Sequence, residues 1–189
     1  MTVDDIVGRQ DWAAIEAQLS EEGYAVLAGA LGEDLIAELM RPRSPLTDDL
    51  RRHLHPHLAP IANRWNAVLD EPAPDVRQAA FARLTHQREG EDEPLHQAAS
   101  TFPLQLVALL SEPGRDFTGG EFVMTEQRPR MQSRPMVLPL RRGSLAVITV
   151  AQRPHPGSKG PYRVNLKHAV SRVRSGERWG LELLFDGKP

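Results

Sequence analysis

The second half of the chain consists of short apolar runs separated by turn-forming residues, and this pattern restricts the fold more than any other feature. The runs cover residues 81–86, 102–110, 121–125, 136–140, 145–150, 162–166 and 179–185. Turn formers between them include Glu112-Pro-Gly114, Arg142-Gly143, Ser175-Gly176 and the loop 153–161. Many short strands at regular spacing are typical of a β-sandwich or barrel. We therefore predict a mostly β fold, a double-stranded β-helix (jelly roll, cupin-like), with helices packed outside.

The first third of the chain has helical periodicity instead. Trp12, Ile15 and Leu19 recur at helical spacing before Gly23, and residues 33–40 form a second apolar face. Thr47, followed by two acidic residues, is predicted to cap a third helix that contains Pro56 and Pro60. With 189 residues, the chain is predicted to be a single domain, 1–189, with a helical part at 1–75 and a jelly-roll core at 78–186.

Composition narrows the classes of function and the compartment. The chain has no cysteine, which excludes thiolate chemistry and cysteine metal sites, and its formal charge of −2 disfavours binding to a nucleic acid polymer. Its apolar runs are far shorter than the ~20 residues of a membrane span, and the N-terminus has no signal-peptide pattern. We expect a cytoplasmic protein without membrane or nucleic acid polymer partners, and its oligomeric state stays open.

Two of the seven histidines stand out by their surroundings. His53, His55 and His57 fit a solvated helix surface, whereas His96 lies between a loop and a strand. His168 lies in the string Asn165-Leu-Lys-His-Ala-Val-Ser-Arg-Val-Arg-Ser-Gly-Glu-Arg178. That string resembles the end of the prolyl-4-hydroxylase-like branch of the iron(II)/2-oxoglutarate dioxygenases. In that branch a metal-binding histidine precedes a glycine turn and, ten positions on, a basic residue.

The resemblance extends over roughly residues 81–185, through Asp116-Phe-Thr-Gly-Gly-Glu-Phe122 and Pro139-Leu-Arg-Arg-Gly-Ser144. It implies that His96 and His168 bind Fe(II) and that Arg178 holds the far carboxylate of 2-oxoglutarate, with dioxygen as co-substrate. A guanidinium suits that role because it is permanently charged and bidentate. Gln87, Gln105 and Thr149 are the candidates for a second residue at that carboxylate.

One departure from the family pattern bears directly on function. The family has a His-x-Asp motif, whereas this chain reads His96-Gln97-Ala98, and alanine cannot bind a metal. Three interpretations follow: a halide fills the vacancy, the chain is a catalytically inactive binder, or another carboxylate substitutes. The candidates for a substitute are Asp92, Glu93, Asp116 and Glu121.

We favour the halide at the sequence level, because chloride supplies the charge that aspartate would have supplied and Ala98 leaves halide space. The resemblance then implies a chloride-dependent halogenase, similar to the nucleotide halogenases of actinobacterial purine-nucleoside antibiotic pathways. The alternative is a hydroxylase with a substitute carboxylate, or the inactive binder.

Five arginines and no acidic residue lie between Arg128 and Arg142. Arg128, Arg130 and Arg134, with Arg153 as a weaker fourth, are candidates for binding a small anionic substrate. The resemblance suggests a free nucleotide, a deoxyadenosine monophosphate chlorinated at its 2′ carbon. A carrier-tethered substrate and an aliphatic amino acid are the other options.

Overall fold

The structure is a computed structural model that describes residues 2–27, 29, 31–74 and 81–186. The predicted boundary between the helical part and the core, at 75–78, lies outside the described residues. Four helices precede most of the strands: α1 Val3–Gly8, α2 Trp12–Glu22, α3 Glu33–Leu39 and α4 Leu46–Leu69. The strands are β1 Tyr24–Val26, β2 Phe81–Arg88, β3 Glu93–His96, β4 Leu104–Leu109, β5 Phe117–Gly119, β6 Phe122–Gln127, β7 Arg134–Val137, β8 Leu145–Thr149, β9 Gln152–His155, β10 Tyr162–Val170 and β11 Val173–Leu184.

The strands form two antiparallel sheets. One has the order β1-β8-β4-β11-β2, with β5 also pairing β11; the other has the order β3-β10-β6-β7, with β9 pairing β10. Side chains of β4 alternate between two cores, because successive residues of a strand point to opposite faces. Leu104 and Leu106 pack with the helices, whereas Val107 and Leu109 pack between the sheets. The predicted jelly-roll architecture with outside helices is confirmed.

Several local predictions need correction. Thr47 is not a helix cap: α4 begins at Leu46, and the Thr47 hydroxyl donates instead to the Ser44 carbonyl. Part of the predicted loop 153–161 belongs to β9, and the predicted turn at Ser175-Gly176 lies inside β11. There Gly176 has φ 76°, and β5 pairs across the irregularity. Among the described helices, none is long and apolar enough to cross a membrane.

Candidate active site

The two predicted metal ligands lie side by side on neighbouring strands of the second sheet. His96, at the end of β3, is the direct register partner of His168 on β10, and their ring centroids lie 4.2 Å apart. His168 is buried, and the Phe122 ring stacks against it at 5.8 Å. Two chain segments 72 positions apart are therefore brought together by strand pairing alone.

The two imidazoles differ in how their ring nitrogens are hydrogen-bonded. His96 Nδ1 lies 2.9 Å from the Pro94 carbonyl oxygen, to which it donates, so its Nε2 is the unprotonated nitrogen. The Gln105 amide lies 3.2 Å from His168 Nε2 and donates to it. His168 Nδ1 is buried without a hydrogen-bond partner among the described residues. The site therefore contains imidazole nitrogens whose bonding capacity the protein leaves partly unused.

Burial keeps His168 uncharged. It lowers the pKa of His168 to about 3, and the neighbouring His96 and Arg83 add to this effect. A neutral imidazole is the form that binds metals, so the protein maintains His168 in its metal-binding form at physiological pH.

Glu93 is the carboxylate nearest to this pair among the four predicted substitutes. Its Oε1 lies 3.9 Å from His96 Nε2, and both atoms are acceptors. Asp116 instead pairs with Arg115, and Glu121 accepts from Ser171, while Asp92 is exposed.

A cation between Glu93 and His96 would relieve the contact between two electron-rich atoms. Neighbouring ligands of a metal ion lie about 3 Å apart for bonds of about 2.1 Å, so Glu93 is about 1 Å from such a position.

Glu93 belongs to a charged cluster that the sequence did not reveal. Arg83 donates from Nη2 to Glu93 Oε1 and also to Glu182 Oε2, the latter at 2.9 Å. Burial, followed by the charge of Glu93, raises the pKa of Glu182. The signal in the sequence was a single acid inside the apolar run Leu181-Glu182-Leu183-Leu184.

Ala98 lies on the wall of a cavity of about 390 Å³ beside this cluster. The segment that contains it is fixed at both ends. Gln97 donates to the carbonyls of Ala151 and Leu166, and Asp186 accepts hydrogen bonds from Ser100, Thr101 and the Phe102 amide. The cavity is lined by Phe81, Arg83, Glu93, His96, Gln97, Ala98, Ala99, Glu182 and Leu184.

Arg178 is a buried guanidinium without a carboxylate partner among the described residues. Its Nε donates to the Gly120 carbonyl at 2.9 Å and its Nη1 to Gln87 Oε1 at 3.2 Å. Burial lowers the pKa of Arg178 to about 10, against the opposing charges of Glu93 and Glu182, so it stays protonated at neutral pH. A buried cation is costly unless an anion balances it, and a ligand carboxylate would supply that balance.

A second cavity, of about 280 Å³, leads to Arg178 and is mostly apolar. Phe122 lines it and also stacks on His168, so one ring contacts both the imidazole pair and the Arg178 cavity. Gly120, at φ +63°, and Gly180 lie against Arg178, where an added Cβ would sit 3.0 Å from its atoms. The predicted Gly-Gly strand therefore gives the guanidinium its space.

The remaining predicted cosubstrate residues divide between the two sheet faces. Gln105 reaches His168, as described, and Gln87 reaches Arg178. Thr149 does not reach the site, because its hydroxyl donates to the Gly23 carbonyl on the outer side of the sheet. This corrects the expectation that Thr149 contacts 2-oxoglutarate.

The predicted substrate arginines are mostly engaged in ion pairs. Arg153 is fully buried and pairs with Glu126, so it is a core residue and not a substrate contact. Arg128 also pairs with Glu126, and Arg134 pairs with Glu22. Arg130 is exposed at φ 62° in the loop after β6. The pairs Asn165–Gln127 and His168–Met124 place the start of this loop about 10 Å along β10 from His168.

Solved structures with the same fold are known. The structure resembles a 2-oxoglutarate–Fe(II) oxygenase family oxidoreductase of Burkholderia pseudomallei (TM-score 0.56, 17% identity, 93% of this chain and 89% of that one). It also resembles a prolyl-4-hydroxylase of Pseudomonas putida (TM-score 0.54, 16% identity, 94% of this chain and 95% of that one). A third similar structure is the α-ketoglutarate-dependent epimerase SnoN from nogalamycin biosynthesis (TM-score 0.53, 13% identity, 91% of this chain and 81% of that one). At these identities the likeness shows the jelly-roll fold.

Sequence comparison is more specific. Residues 38–187 match the model of a family described as "Oxygenase, catalysing oxidative methylation of damaged DNA". Two uncharacterized proteins of Mycobacterium tuberculosis, from strains CDC 1551 and H37Rv, are each 36% identical over 161 residues, or 76% of this chain and 69% of theirs. The chain belongs to this oxygenase family. The match makes the protein an oxygenase, and solved 2-oxoglutarate–Fe(II) oxygenases share its fold.

The residues fit an iron site in part. The paired imidazoles supply two nitrogen ligands, and the partly unused nitrogens of His168 support that assignment. Within the described ranges, however, no three His, Asp or Glu side chains already form a metal-binding group. The third metal ligand would therefore be Glu93, after a small shift of its side chain, or a ligand from solution.

Proposed function

We propose that this protein is an Fe(II)/2-oxoglutarate-dependent hydroxylating oxygenase whose metal is held by His96, His168 and Glu93. The observation that carries the proposal is the close approach of the two imidazoles, with ring centroids 4.2 Å apart, and Glu93 Oε1 3.9 Å from His96 Nε2. Two histidines and one carboxylate form the facial triad of non-haem iron oxygenases. Glu93 takes over the role of the missing aspartate from three positions before His96 instead of two positions after it.

Iron held by His96, His168 and Glu93 would couple the oxidation of 2-oxoglutarate by dioxygen, to succinate and carbon dioxide, with the insertion of one oxygen atom into a C–H bond of the substrate. The protein's own residues bind and orient the reactants. Arg178 binds the far carboxylate of 2-oxoglutarate in the apolar cavity, with Gln87 fixing the guanidinium. Phe122 lines that cavity and its ring stacks on His168.

Charge balance favours the hydroxylase. Glu93 and Glu182 together with Arg83 carry a net charge of −1 when all three are ionised. This equals the charge that an aspartate at position 98 would have supplied. With the chelating carboxylate of 2-oxoglutarate, the divalent iron is then neutral, and a chloride ligand would leave an excess negative charge.

Halogenation is the second candidate, and the Ala98 cavity wall supports it. A chloride ion beside Ala98 would take the third position while Glu93 stays with Arg83. In that case the product would carry chlorine in place of a substrate hydrogen, and the free-nucleotide substrate suggested by the resemblance would apply.

The proposed substrate is a damaged nucleobase carried on a phosphate-bearing nucleotide. The family description, which names damaged DNA, supports the base, and exposed Arg130 in the loop near the β10 end supports a phosphate contact. Neither feature distinguishes a DNA strand from a free nucleotide as the substrate. The second experiment below therefore tests both.

The first experiment measures succinate formed from 2-oxoglutarate in the presence of Fe(II), with and without chloride. We expect turnover that is indifferent to chloride and is lost in His168→Ala and Glu93→Ala. Asp92→Ala, which removes the exposed carboxylate next to Glu93, is the matched control and should retain activity. Chloride-dependent turnover that survives Glu93→Ala would support halogenation, and no succinate under any condition would indicate an inactive binder.

The second experiment compares a methylated single-stranded oligonucleotide with the corresponding methylated mononucleotide. Product mass is measured for each, and a gain of one oxygen, or loss of the oxidised methyl group, marks the substrate. Activity on the mononucleotide alone identifies a free nucleotide, and activity on the oligonucleotide alone identifies DNA. Oxidation of neither would refute the nucleobase assignment.

A further inference from the structure

We propose that Glu182 is a positioning residue that holds Arg83 away from the metal and so frees Glu93 to bind it. This inference rests on the proposed function, because it concerns the assignment of Glu93 as the third ligand. It gives a positioning role to two charged residues, Arg83 and Glu182, that enter the mechanism above only through their net charge.

The geometry is a single guanidinium nitrogen shared by two carboxylates. Arg83 Nη2 donates to both Glu93 Oε1 and Glu182 Oε2. Arg83 and Glu182 are direct register partners on β2 and β11, whereas Glu93 begins β3 in the other sheet. The arginine therefore bridges the two sheets beside the cavity that contains His96 and Ala98.

The same Glu93 oxygen that faces His96 Nε2 is the one that Arg83 holds. A metal ion bound there competes with the guanidinium for Oε1, because both are cations. The two carboxylates are mostly shielded, with 15% and 14% of their side chains exposed, whereas the arginine is 42% exposed. Arg83 therefore has room to move, and Glu182 offers it a partner that lies directly opposite on the neighbouring strand.

Without Glu182, the only carboxylate within reach of Arg83 among the described ion pairs would be Glu93. The arginine would then remain on Glu93 and hold it from the metal. Without Arg83, Glu93 would be free whether Glu182 is present or not. The two residues should thus be energetically coupled in metal binding, whereas two independent charges would act additively.

The test is a double-mutant cycle on metal affinity, measured by Co(II) absorption titration of the protein without 2-oxoglutarate or substrate. Glu182→Gln should weaken Co(II) binding about tenfold in the wild-type background. The same substitution should change it less than about twofold in the Arg83→Met background. Both variants should retain the wild-type circular dichroism spectrum, which separates loss of affinity from loss of fold.

The control cycle uses Arg88 and Glu177, which are register partners on the same two strands and are exposed. Arg88→Met and Glu177→Gln should leave Co(II) affinity unchanged. If Glu182→Gln changes the Co(II) affinity equally with and without Arg83, this inference is overturned. Glu182 would then act on the metal only through its negative charge, independently of Arg83. An unchanged affinity in Glu182→Gln would also overturn it.

Failure of the proposed function gives a different result. If Co(II) binding by the wild-type chain is absent, or is unaffected by His168→Ala, the metal site itself is wrong. If binding requires His168 but not Glu93, the third ligand is wrong while the two histidines remain. Only coupling between Arg83 and Glu182 that disappears in Glu93→Gln supports the whole arrangement.

Discussion

The Nε of Arg178 donates a hydrogen bond to the carbonyl oxygen of Gly120 at 2.9 Å, and no carboxylate among the described residues pairs with this guanidinium. The backbone thus fixes the direction of the Arg178 side chain, and the charges of Glu93 and Glu182 act on it without a direct ion pair. A buried cation held in this way is suited to an anionic ligand.

Replacing Arg178 with Met should raise the KM for 2-oxoglutarate by about one to two orders of magnitude, because a hydrogen bond to a charged group contributes roughly 1.5–3 kcal/mol. Succinate formation at varied 2-oxoglutarate concentration measures the effect. Arg174→Met removes an exposed arginine of the same strand and should leave the KM unchanged. An unaltered KM in Arg178→Met would remove this residue from the cosubstrate site.

Substituting Gly120 with Ala should impair the cosubstrate site more than it impairs the fold. Its Cβ would lie 3.0 Å from Arg178 Cδ and from the Phe117 ring, at a φ of +63°. Gly114→Ala is the matched control, because Gly114 has φ +82° and open space around the added Cβ. Both should lose about 1 kcal/mol of unfolding free energy through the left-handed backbone. Only Gly120→Ala should weaken 2-oxoglutarate binding; equal binding by both would refute the close-packing argument.

The buried ion pair between Glu126 and Arg153 should be a stability determinant. Burial alone would raise the pKa of Glu126, but the hydrogen bonds from Arg128 and Arg153 lower it below its usual value. Glu126→Gln leaves Arg153 buried without its counter-charge and should cost on the order of 3 kcal/mol in urea unfolding. Glu22→Gln breaks the exposed pair with Arg134 and should cost less than about 1 kcal/mol. Comparable losses of unfolding free energy in Glu126→Gln and Glu22→Gln would contradict the assignment of Glu126 and Arg153 as a stabilising buried pair.

Acid should destabilise the metal-free protein through His168. The pKa of His168 is about 3 in the folded protein, below the ordinary 6.5, so the unfolded chain binds a proton that the folded chain does not. The resulting stability is complete above about pH 6.5 and decreases as the pH falls towards 3, by an amount on the order of 4 kcal/mol. Urea unfolding between these pH values measures the slope. His168→Asn should flatten it, whereas His57→Asn, on the exposed helix face, should not.

Asp186 should control the order of the segment that contains Ala98. It accepts a hydrogen bond from the Phe102 amide at 2.8 Å and others from the hydroxyls of Ser100 and Thr101. Asp186→Asn should increase amide hydrogen exchange in residues 97–102 without affecting β10. Asp92→Asn is an exposed control. Unchanged exchange in the segment would show that the Gln97 contacts alone fix it.

A site residue could be predicted from the sequence only where its role is evident from its neighbours along the chain. The spacing of His168 and Arg178, and the Gly119-Gly120 pair, lie within short strings, so their resemblance to a known pattern located them. Glu93 was one of four candidate carboxylates, and only its distance to His96 distinguishes it. Arg153 was misassigned because sequence patterning cannot distinguish an arginine at the surface from one paired in the core.

The amino-acid sequence by itself determined the jelly-roll class and the outer helices, because alternation and helical periodicity are properties of neighbouring residues. It also determined that no carboxylate stands at position 98. Tertiary structure decided which groups surround that position, since Arg83 and Glu182 meet on paired strands of one sheet and Glu93 reaches Arg83 from the other sheet. The chemistry proposed for the site depends on those distances, and electrostatic interaction energies follow distance and burial and not separation along the chain.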